Sequence, residues 1–297
     1  MGRRMAAEHR LMPIAMALLG VGFLSLMDAF MKEAALAVGA YSAAVLRSAM
    51  GAVMVVPIWL ARGGRWPRPR VLKVHVRRGL VTTFMALTFF YAITKLPLAE
   101  TIAISFVAPV ISLYLAALIL GERIERKAIV AAVLGLIGTL VIVGGRIGSQ
   151  AMSDDAALGL GAILFSAVLY AYNLVLARQQ AQLAGPLEIA SFHSGMSALV
   201  LGLAAPFLLT LPDGPTTTNI AAAAFLTVCG AISLAWAYAR AEAQVLVPME
   251  YSGFLWAVLF GWLFFREAVT PATLTGTALI VGGCWIAARR RPEQVMV

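Results

Sequence analysis

Runs of about twenty apolar residues recur along this whole sequence, and they limit its fold more than any other feature. A helix of about 20 residues is needed to cross the hydrocarbon core of a bilayer. Runs of suitable length lie at residues 12–31, 41–60, 79–95, 99–120, 128–145, 157–177, 188–210, 219–239, 244–265 and 270–288. Only 12% of the residues are charged and 61% are hydrophobic, whereas soluble domains carry about 25% charged residues. The chain is therefore predicted to be a membrane protein.

These runs are predicted to be helices. Backbone N–H and C=O groups cannot stay unpaired in lipid, and the runs lack the alternating pattern of barrel strands. The predicted fold class is an all-α integral membrane protein with ten transmembrane helices. The first run follows a basic segment, as in a signal peptide, but it is long and has no clear small-residue cleavage site. We expect it to be retained as a span.

An internal repeat divides the chain into two units. A slide of 145 positions superimposes Thr82 on Thr227, Ala92 on Ala237, Glu122 on Glu267 and Gly138 on Gly283. Upstream, a slide of 146 places Lys32 on Arg178 and Ser48 on Ser194. We predict two repeats, residues 1–150 and 151–297, with five helices each. An odd number of helices inverts the second copy in the membrane, and inverted repeats around a central site are typical of secondary transporters.

The basic residues predict the orientation. Most of the 23 Lys and Arg residues fall in segments on the same side as the N-terminus, above all between the second and third spans. Basic loops face the cytoplasm, so both termini are expected to be cytoplasmic. This topology also explains the net charge of +9, and we predict no nucleic-acid partner.

Several short segments resemble the EamA-type repeats of the drug/metabolite transporter superfamily. They are Tyr91-Ala92-Ile93, Leu96-Pro97-Leu98-Ala99-Glu100, Ala108-Pro109, Leu120-Gly121-Glu122-Arg123 and Phe265-Arg266-Glu267. Within the superfamily the sequence looks closest to YddG-type bacterial amino-acid exporters. The resemblance implies a central cavity lined by the third, fourth, eighth and ninth helices, in the bacterial inner membrane. It also implies export of small metabolites such as aromatic and other neutral amino acids.

Charged residues inside spans are costly and usually face a bundle interior, so they are candidates for a substrate site. Arg47 lies about two turns into the second span, and the slide of 146 places His193 opposite it in the seventh. We expect Arg47 to meet a substrate carboxylate and His193 to act as a titratable or hydrogen-bonding group. The alternatives are that Arg47 snorkels to the outer headgroups and that a nearby carbonyl satisfies His193.

Glu250 is the other deep charge, two residues after Pro248 in the ninth span. Proline frees a backbone carbonyl, and broken helices form binding sites in many transporters. Glu250 is predicted to hold a substrate ammonium or to carry a proton. The alternative is a structural pairing with a basic residue such as Arg240.

Aromatic residues supply further candidates. Tyr91 and Trp236 coincide under the slide of 145, on helices that the resemblance places at the centre. We expect both to line the cavity, because ring faces and hydroxyl donors suit an amino-acid substrate. Tyr172, Asn173 and Tyr251 are the remaining predicted substrate contacts. The alternative for such rings is a belt at the membrane interface.

Other charged residues have predicted structural roles. Asp28 and Lys32 are four residues apart near the outer end of the first span, and we expect them to pair with each other at the rim. Glu100 is expected to be a solvated helix end. The recurrence of Glu122 as Glu267 favours a packing or capping role.

Small residues recur on one face of two helices. Ala131 and Gly138 in the fifth span are seven apart, as are Gly276 and Gly283 in the tenth. Because small residues allow close packing in lipid, these helices are predicted to support the bundle or a homo-oligomer contact.

Motifs for catalysis are missing from the sequence, which has no HExxH, GxSxG or GxxxxGK segment and no Cys/His metal spacing. We predict a secondary transporter with no cofactor and no metal, rather than an enzyme. Its expected partners are the lipid bilayer and a small-molecule substrate. The alternatives are another substrate class (a nucleotide sugar, a polyamine or a drug) and a passive channel.

Overall fold

The structure is a computed structural model that describes residues 2–108, 111–112, 114–115, 126–149, 153–181, 183–238, 249 and 252–288. These residues form helices and their connections, with no strand among them. The helices are α1 (Gly2–Ala61), α2 (Pro69–Lys95), α3 (Leu98–Ser105), α4 (Arg126–Ser149), α5 (Asp154–Ala181), α6 (Pro186–Gly202), α7 (Ala205–Leu208), α8 (Gly214–Tyr238), α9 (Ser252–Phe265) and α10 (Pro271–Ala288). The all-α prediction is confirmed for this part of the chain.

The first two predicted spans lie in one long helix, α1, which is interrupted at Gly39. Gly39 has φ 83° and ψ 151°, and a residue with a Cβ rarely adopts a positive φ. The interruption falls between residues 31 and 41, where the sequence predicts a loop. The loop is therefore reduced to a single-residue break, and the two halves of α1 correspond to the first two predicted spans.

Four helices of the described residues are long and apolar enough to cross a membrane: Met12–Ala61, Pro69–Lys95, Asp154–Ala177 and Gly214–Leu234. Shorter apolar helices cover Val133–Gly145 and Ser252–Phe265. The structure thus supports a membrane protein with several spans, whereas the full set of ten predicted spans is not established. One reason is that the predicted fourth and ninth spans, 99–120 and 244–265, lie partly outside the described residues.

Helix α2 begins at Pro69, well before residue 79, where the third span is predicted to start. Proline suits the first turn of a helix because its missing N–H would have no partner there. The early start places His75 and Arg78 on a helix rather than in the predicted cytoplasmic loop. His75 is buried and Arg78 is half-buried, so both side chains belong to the packed bundle.

Helix α1 is the centre of the packing. It lies against α6, α8 and α9, while α2 packs on α5 and α6, α3 on α9, and α4 on α10. The main hydrophobic core includes Met31 of α1, Ile93 of α2 and Leu98 of α3, all fully buried. Contacts of this kind hold helices together in lipid, where association depends on close van der Waals packing.

Two glycines bring α4 and α10 into backbone contact. A Cβ on Gly138 would lie 2.5 Å from the carbonyl oxygen of Gly276 and 2.6 Å from Ile280 Cγ1, and a Cβ on Gly276 would meet the carbonyl oxygen of Gly138. For Gly138 and Gly276 the predicted support of the bundle is confirmed, since both helices belong to the same chain.

Replacing Gly276 with alanine is expected to destabilise the protein by about 1–3 kcal/mol, the usual effect of overpacking. The added methyl group would push α10 away from α4. Gly282→Ala is the matched control, because a Cβ at Gly282 has no neighbour within 4 Å. The thermal unfolding midpoint of the detergent-purified protein measures the difference, and equal midpoints for the two variants would show that the α4–α10 contact is looser than described.

Candidate substrate site

Arg47, in the second half of α1, points into the bundle. The residue is 8% exposed. Its Nη1 donates a hydrogen bond to Thr227 Oγ1 of α8 at 3.3 Å, and its guanidinium lies 5.2 Å from the ring centroid of Phe90 on α2. The Arg47 Nε is buried and has no hydrogen-bond partner among the residues that the structure describes. Because an unsatisfied buried donor is costly, this arrangement favours a site that a ligand completes over snorkelling to headgroups.

A small cavity lies beside the Arg47 guanidinium. Helices α1, α6 and α8 enclose it. Its lining consists of small, hydroxyl-bearing or basic residues: Arg47, Ser48, Gly51, His193, Ser194, Ala224, Thr227 and Val228. The structure therefore brings Arg47 and His193 to one cavity. Their contact with a substrate stays a prediction.

Repeat-related residues face each other across this cavity. The slide of 146 superimposes Arg47 on His193 and Ser48 on Ser194, and all four line the cavity. Gly51 lets α6 approach, since a Cβ there would lie 3.2 Å from Ser194 Oγ. The cavity thus lies where equivalent positions of the two sequence repeats meet.

Asp28 of α1 also faces the interior. The residue is half-buried, and its carboxylate interacts electrostatically with Arg47 without an ion pair between the two side chains. The predicted rim pair of Asp28 with Lys32 is wrong, because Lys32 has a different carboxylate partner.

Lys32 binds segments that are distant in the sequence. Its Nζ forms an ion pair with Glu267 Oε1 and donates a hydrogen bond to the Leu96 carbonyl at 2.9 Å. Glu267 Oε2 accepts the backbone N–H of Leu98, the first residue of α3, at 2.8 Å. The predicted packing or capping role is confirmed for Glu267, while Glu122 lies outside the described residues. We call Lys32, Leu96, Leu98 and Glu267 the Lys32 junction; it joins α1, the start of α3 and the segment between α9 and α10.

A second cavity adjoins the Lys32 junction. Glu100 lines it and is 6% exposed, so the prediction of a solvated helix end at Glu100 is wrong. The carboxylate of Glu267, which also lines this cavity, is already bound by Lys32 and by a backbone N–H. We therefore place the candidate substrate site at the Arg47 cavity, where a buried cation is left incompletely bound.

A buried polar network, which we call the Arg78 network, joins α2, α5 and α6. Arg78 Nε donates a hydrogen bond to Asn173 Oδ1 at 2.9 Å, and its Nη1 donates one to Gln180 Oε1. Gln180 also binds one ring nitrogen of His75, and the other ring nitrogen lies 2.9 Å from Glu188 Oε1. Of these residues, only Asn173 is a predicted site residue.

Other predicted site residues lie away from the Arg47 cavity. Tyr91 is half-buried against the main core, and its ring centroid lies 6.0 Å from Lys95 Nζ. Tyr172 on α5 and Trp236 on α8 are half-buried. None of these three rings lines the cavity. Their contact with a substrate, like that of Asn173, stays a prediction.

Two further predicted contacts, Glu250 and Tyr251, lie outside the described residues.

Apolar helices long enough to cross a bilayer, packed around buried charges and a small polar cavity, are typical of a multi-pass membrane protein. The chain belongs to the EamA-like transporter family, whose model matches residues 11–144 and again residues 157–289. The predicted superfamily is thereby confirmed, and the protein is a transporter rather than an enzyme.

Similar proteins of known name are transporters as well. The chain is 28% identical over 275 residues to the pseudopaline exporter CntI of Pseudomonas aeruginosa (strain UCBPP-PA14), covering 91% of this chain and 94% of that protein. It is 26% identical over 243 residues to a riboflavin transporter of Brucella anthropi, covering 77% and 81%. A crystal structure with 23% identity matches with a TM-score of 0.63 over 92% of this chain and 96% of the other, which shows a shared fold.

Proposed function

We propose that this protein is a secondary transporter that exports amino acids, with aromatic and other neutral ones as the first substrates to test, by alternating access to the Arg47 cavity. The observation that carries the proposal is the buried Arg47 guanidinium. Among the described residues, its Nε has no hydrogen-bond partner and the guanidinium forms no ion pair. The two oxygens of a carboxylate match the planar fork of a guanidinium. A bound carboxylate would satisfy the cation that the protein leaves incompletely bound.

Asp28 supports a zwitterionic substrate. Its carboxylate lies within electrostatic range of Arg47 and is not paired with that side chain, so it is available to a substrate ammonium. The Phe90 ring packs on the Arg47 guanidinium, with its centroid at 5.2 Å. A cation with an anion in its electrostatic range suits an amino acid better than a polyamine, which would meet repulsion from Arg47.

We further propose ten spans in two inverted repeats, residues 1–150 and 151–297. The double family match supports this arrangement, as do equivalent helix contacts in the two halves. A Cβ on Gly20 would lie 3.2 Å from the Gly230 carbonyl oxygen, and Ser166 Oγ donates a hydrogen bond to the Met85 carbonyl at 2.9 Å. The slides of 146 and 145 relate Gly20 to Ser166 and Met85 to Gly230, so the same crossing occurs twice.

The orientation in this proposal rests on the basic segments. Both termini would face the cytoplasm of a bacterium, with the protein in the inner membrane. A carrier in this orientation would load amino acids from the cytoplasm and release them outside.

Counterflow in proteoliposomes tests the proposed function. Vesicles containing the purified protein are loaded with unlabelled phenylalanine, and uptake of labelled phenylalanine is followed from outside. A carrier should show transient accumulation that depends on the internal load, and protein-free vesicles should not. Uptake that does not depend on the unlabelled phenylalanine inside the vesicles would indicate a channel. Accumulation of a labelled nucleotide sugar, polyamine or drug but of no amino acid would reassign the substrate.

A further inference from the structure

The Arg78 guanidinium is held by neutral groups. Its two hydrogen bonds go to the side-chain amide oxygens of Asn173 and Gln180, and it forms no ion pair with the described residues. The nearest carboxylate of the network, on Glu188, is bound to His75 instead. The positive charge of Arg78 is therefore fixed in place without being neutralised.

The donors that remain on Arg78 are the ones a carboxylate needs. A guanidinium has five N–H donors in a planar fork. The Nε–H and one N–H of Nη1 are used, which leaves the second N–H of Nη1 and both N–H groups of Nη2. Two neighbouring nitrogens of a guanidinium can bind one carboxylate through two parallel hydrogen bonds. Because the two amides hold the guanidinium in place, a carboxylate would meet donors of fixed orientation.

Arg78 lies close to the helix segment that carries His193. One turn before Arg78, His75 stacks on the Phe192 ring of α6 with the ring centroids 4.4 Å apart, and Phe192 adjoins His193, which lines the Arg47 cavity. Under the proposed orientation Arg78 is on the cytoplasmic side, where a substrate for export would enter.

We propose that Arg78 is a second carboxylate-binding group, so that the transporter prefers amino acids with an additional acidic group over neutral ones. This inference rests on the proposed function, because it takes Arg47 as the partner of the first carboxylate. Arg47 binds the α-carboxylate in the cavity, and Arg78 binds the second acidic group on the cytoplasmic side of it. Arg78 thereby determines specificity, and the amides of Asn173 and Gln180 position it.

L-Glutamate and L-glutamine test the inference, since they differ only in the second acidic group. The concentration of each that gives half-maximal thermal stabilisation of the purified full chain is measured at constant ionic strength. For the unaltered protein we expect glutamate to bind about tenfold more tightly, because a hydrogen bond to a charged group gives at least this factor. Arg78→Gln should weaken glutamate about tenfold and leave glutamine unchanged, and Arg78→Lys should lie between.

Arg77→Gln is the matched control. It removes the same charge from the adjacent residue, which is exposed, and should change neither ligand. Equal affinity for the two ligands in the unaltered protein would overturn the inference, as would an equal loss of both in Arg78→Gln, which would make the Arg78 network purely structural. If the unaltered protein binds neither ligand and shows no amino-acid counterflow, the proposed function fails as well. If it exchanges phenylalanine but does not prefer glutamate, only the present inference fails.

Discussion

Arg47→Gln is expected to reduce amino-acid exchange by about 30-fold or more, since truncating one partner of a buried charged pair costs at least about 2 kcal/mol. Glutamine retains hydrogen-bonding groups of similar length but loses the charge and the fork that bind a carboxylate. Initial rates of counterflow in proteoliposomes with equal protein content measure the effect. Arg47→Lys retains the charge without the fork and should recover part of the activity.

The same substitution should leave the folded protein intact or more stable. Arg47 is buried with an unpaired Nε, and replacing an incompletely bound charge in a functional site often raises stability at the expense of activity. The thermal unfolding midpoint of Arg47→Gln should therefore equal or exceed that of the unaltered protein. A large fall in the midpoint together with the loss of transport would mean that Arg47 holds the helices together instead of binding a substrate.

Lys32→Met is expected to destabilise the protein by about 3 kcal/mol, because removing one partner of a buried ion pair leaves the other charge without compensation. Lys32 has a side chain that is 6% exposed, and that of Glu267 is 17% exposed. The substitution also removes the donor to the Leu96 carbonyl. Thermal and chemical unfolding of the purified protein measure the change.

Two comparisons separate this effect from a general loss of packing. Lys95→Met removes the exposed ion pair with Asp155 at 2.8 Å and should change the unfolding free energy by less than about 1 kcal/mol. The double variant Lys32→Met with Glu267→Met should be less destabilised than the sum of the single variants, since no charge is left unpaired. Strict additivity would contradict the proposed coupling across the Lys32 junction.

The repeats and the apolar runs allowed much of this protein to be predicted from its sequence. They indicate a helical membrane protein of the EamA type, and they place Arg47 opposite His193 before any coordinates are considered. This works because a duplicated unit relates positions that are far apart in the chain, so equivalent residues of the two copies meet at their junction.

Local spacing was a poor guide to the ion pairs. Asp28 and Lys32 have the i, i+4 spacing of a helical pair, yet Lys32 pairs with Glu267. Helix spacing identifies only partners on the same helix, whereas tertiary packing brings the carboxylate of Glu267 to Lys32. A signal was nevertheless present, since Lys32 and Glu267 both occupy positions that recur in the two repeats.

The role of Arg78 was missed for a related reason. Counting basic residues by segment assigned Arg78 to a cytoplasmic loop, because the apolar run begins at residue 79. Pro69, which is suited to the first turn of a helix, was the available signal that α2 begins earlier. The first part of α2 is basic and partly buried, and it places His75 and Arg78 in contact with α5 and α6.

Cysteine accessibility tests alternating access at the Arg47 cavity most directly. Ser194, which lines the cavity, is changed to cysteine in a background in which Cys229 and Cys284 are replaced by alanine. A membrane-impermeant maleimide is then added to right-side-out and to inverted vesicles. We predict labelling from both sides, slowed from each side by the transported amino acid. Labelling from one side only, with and without substrate, would contradict a carrier built around this cavity.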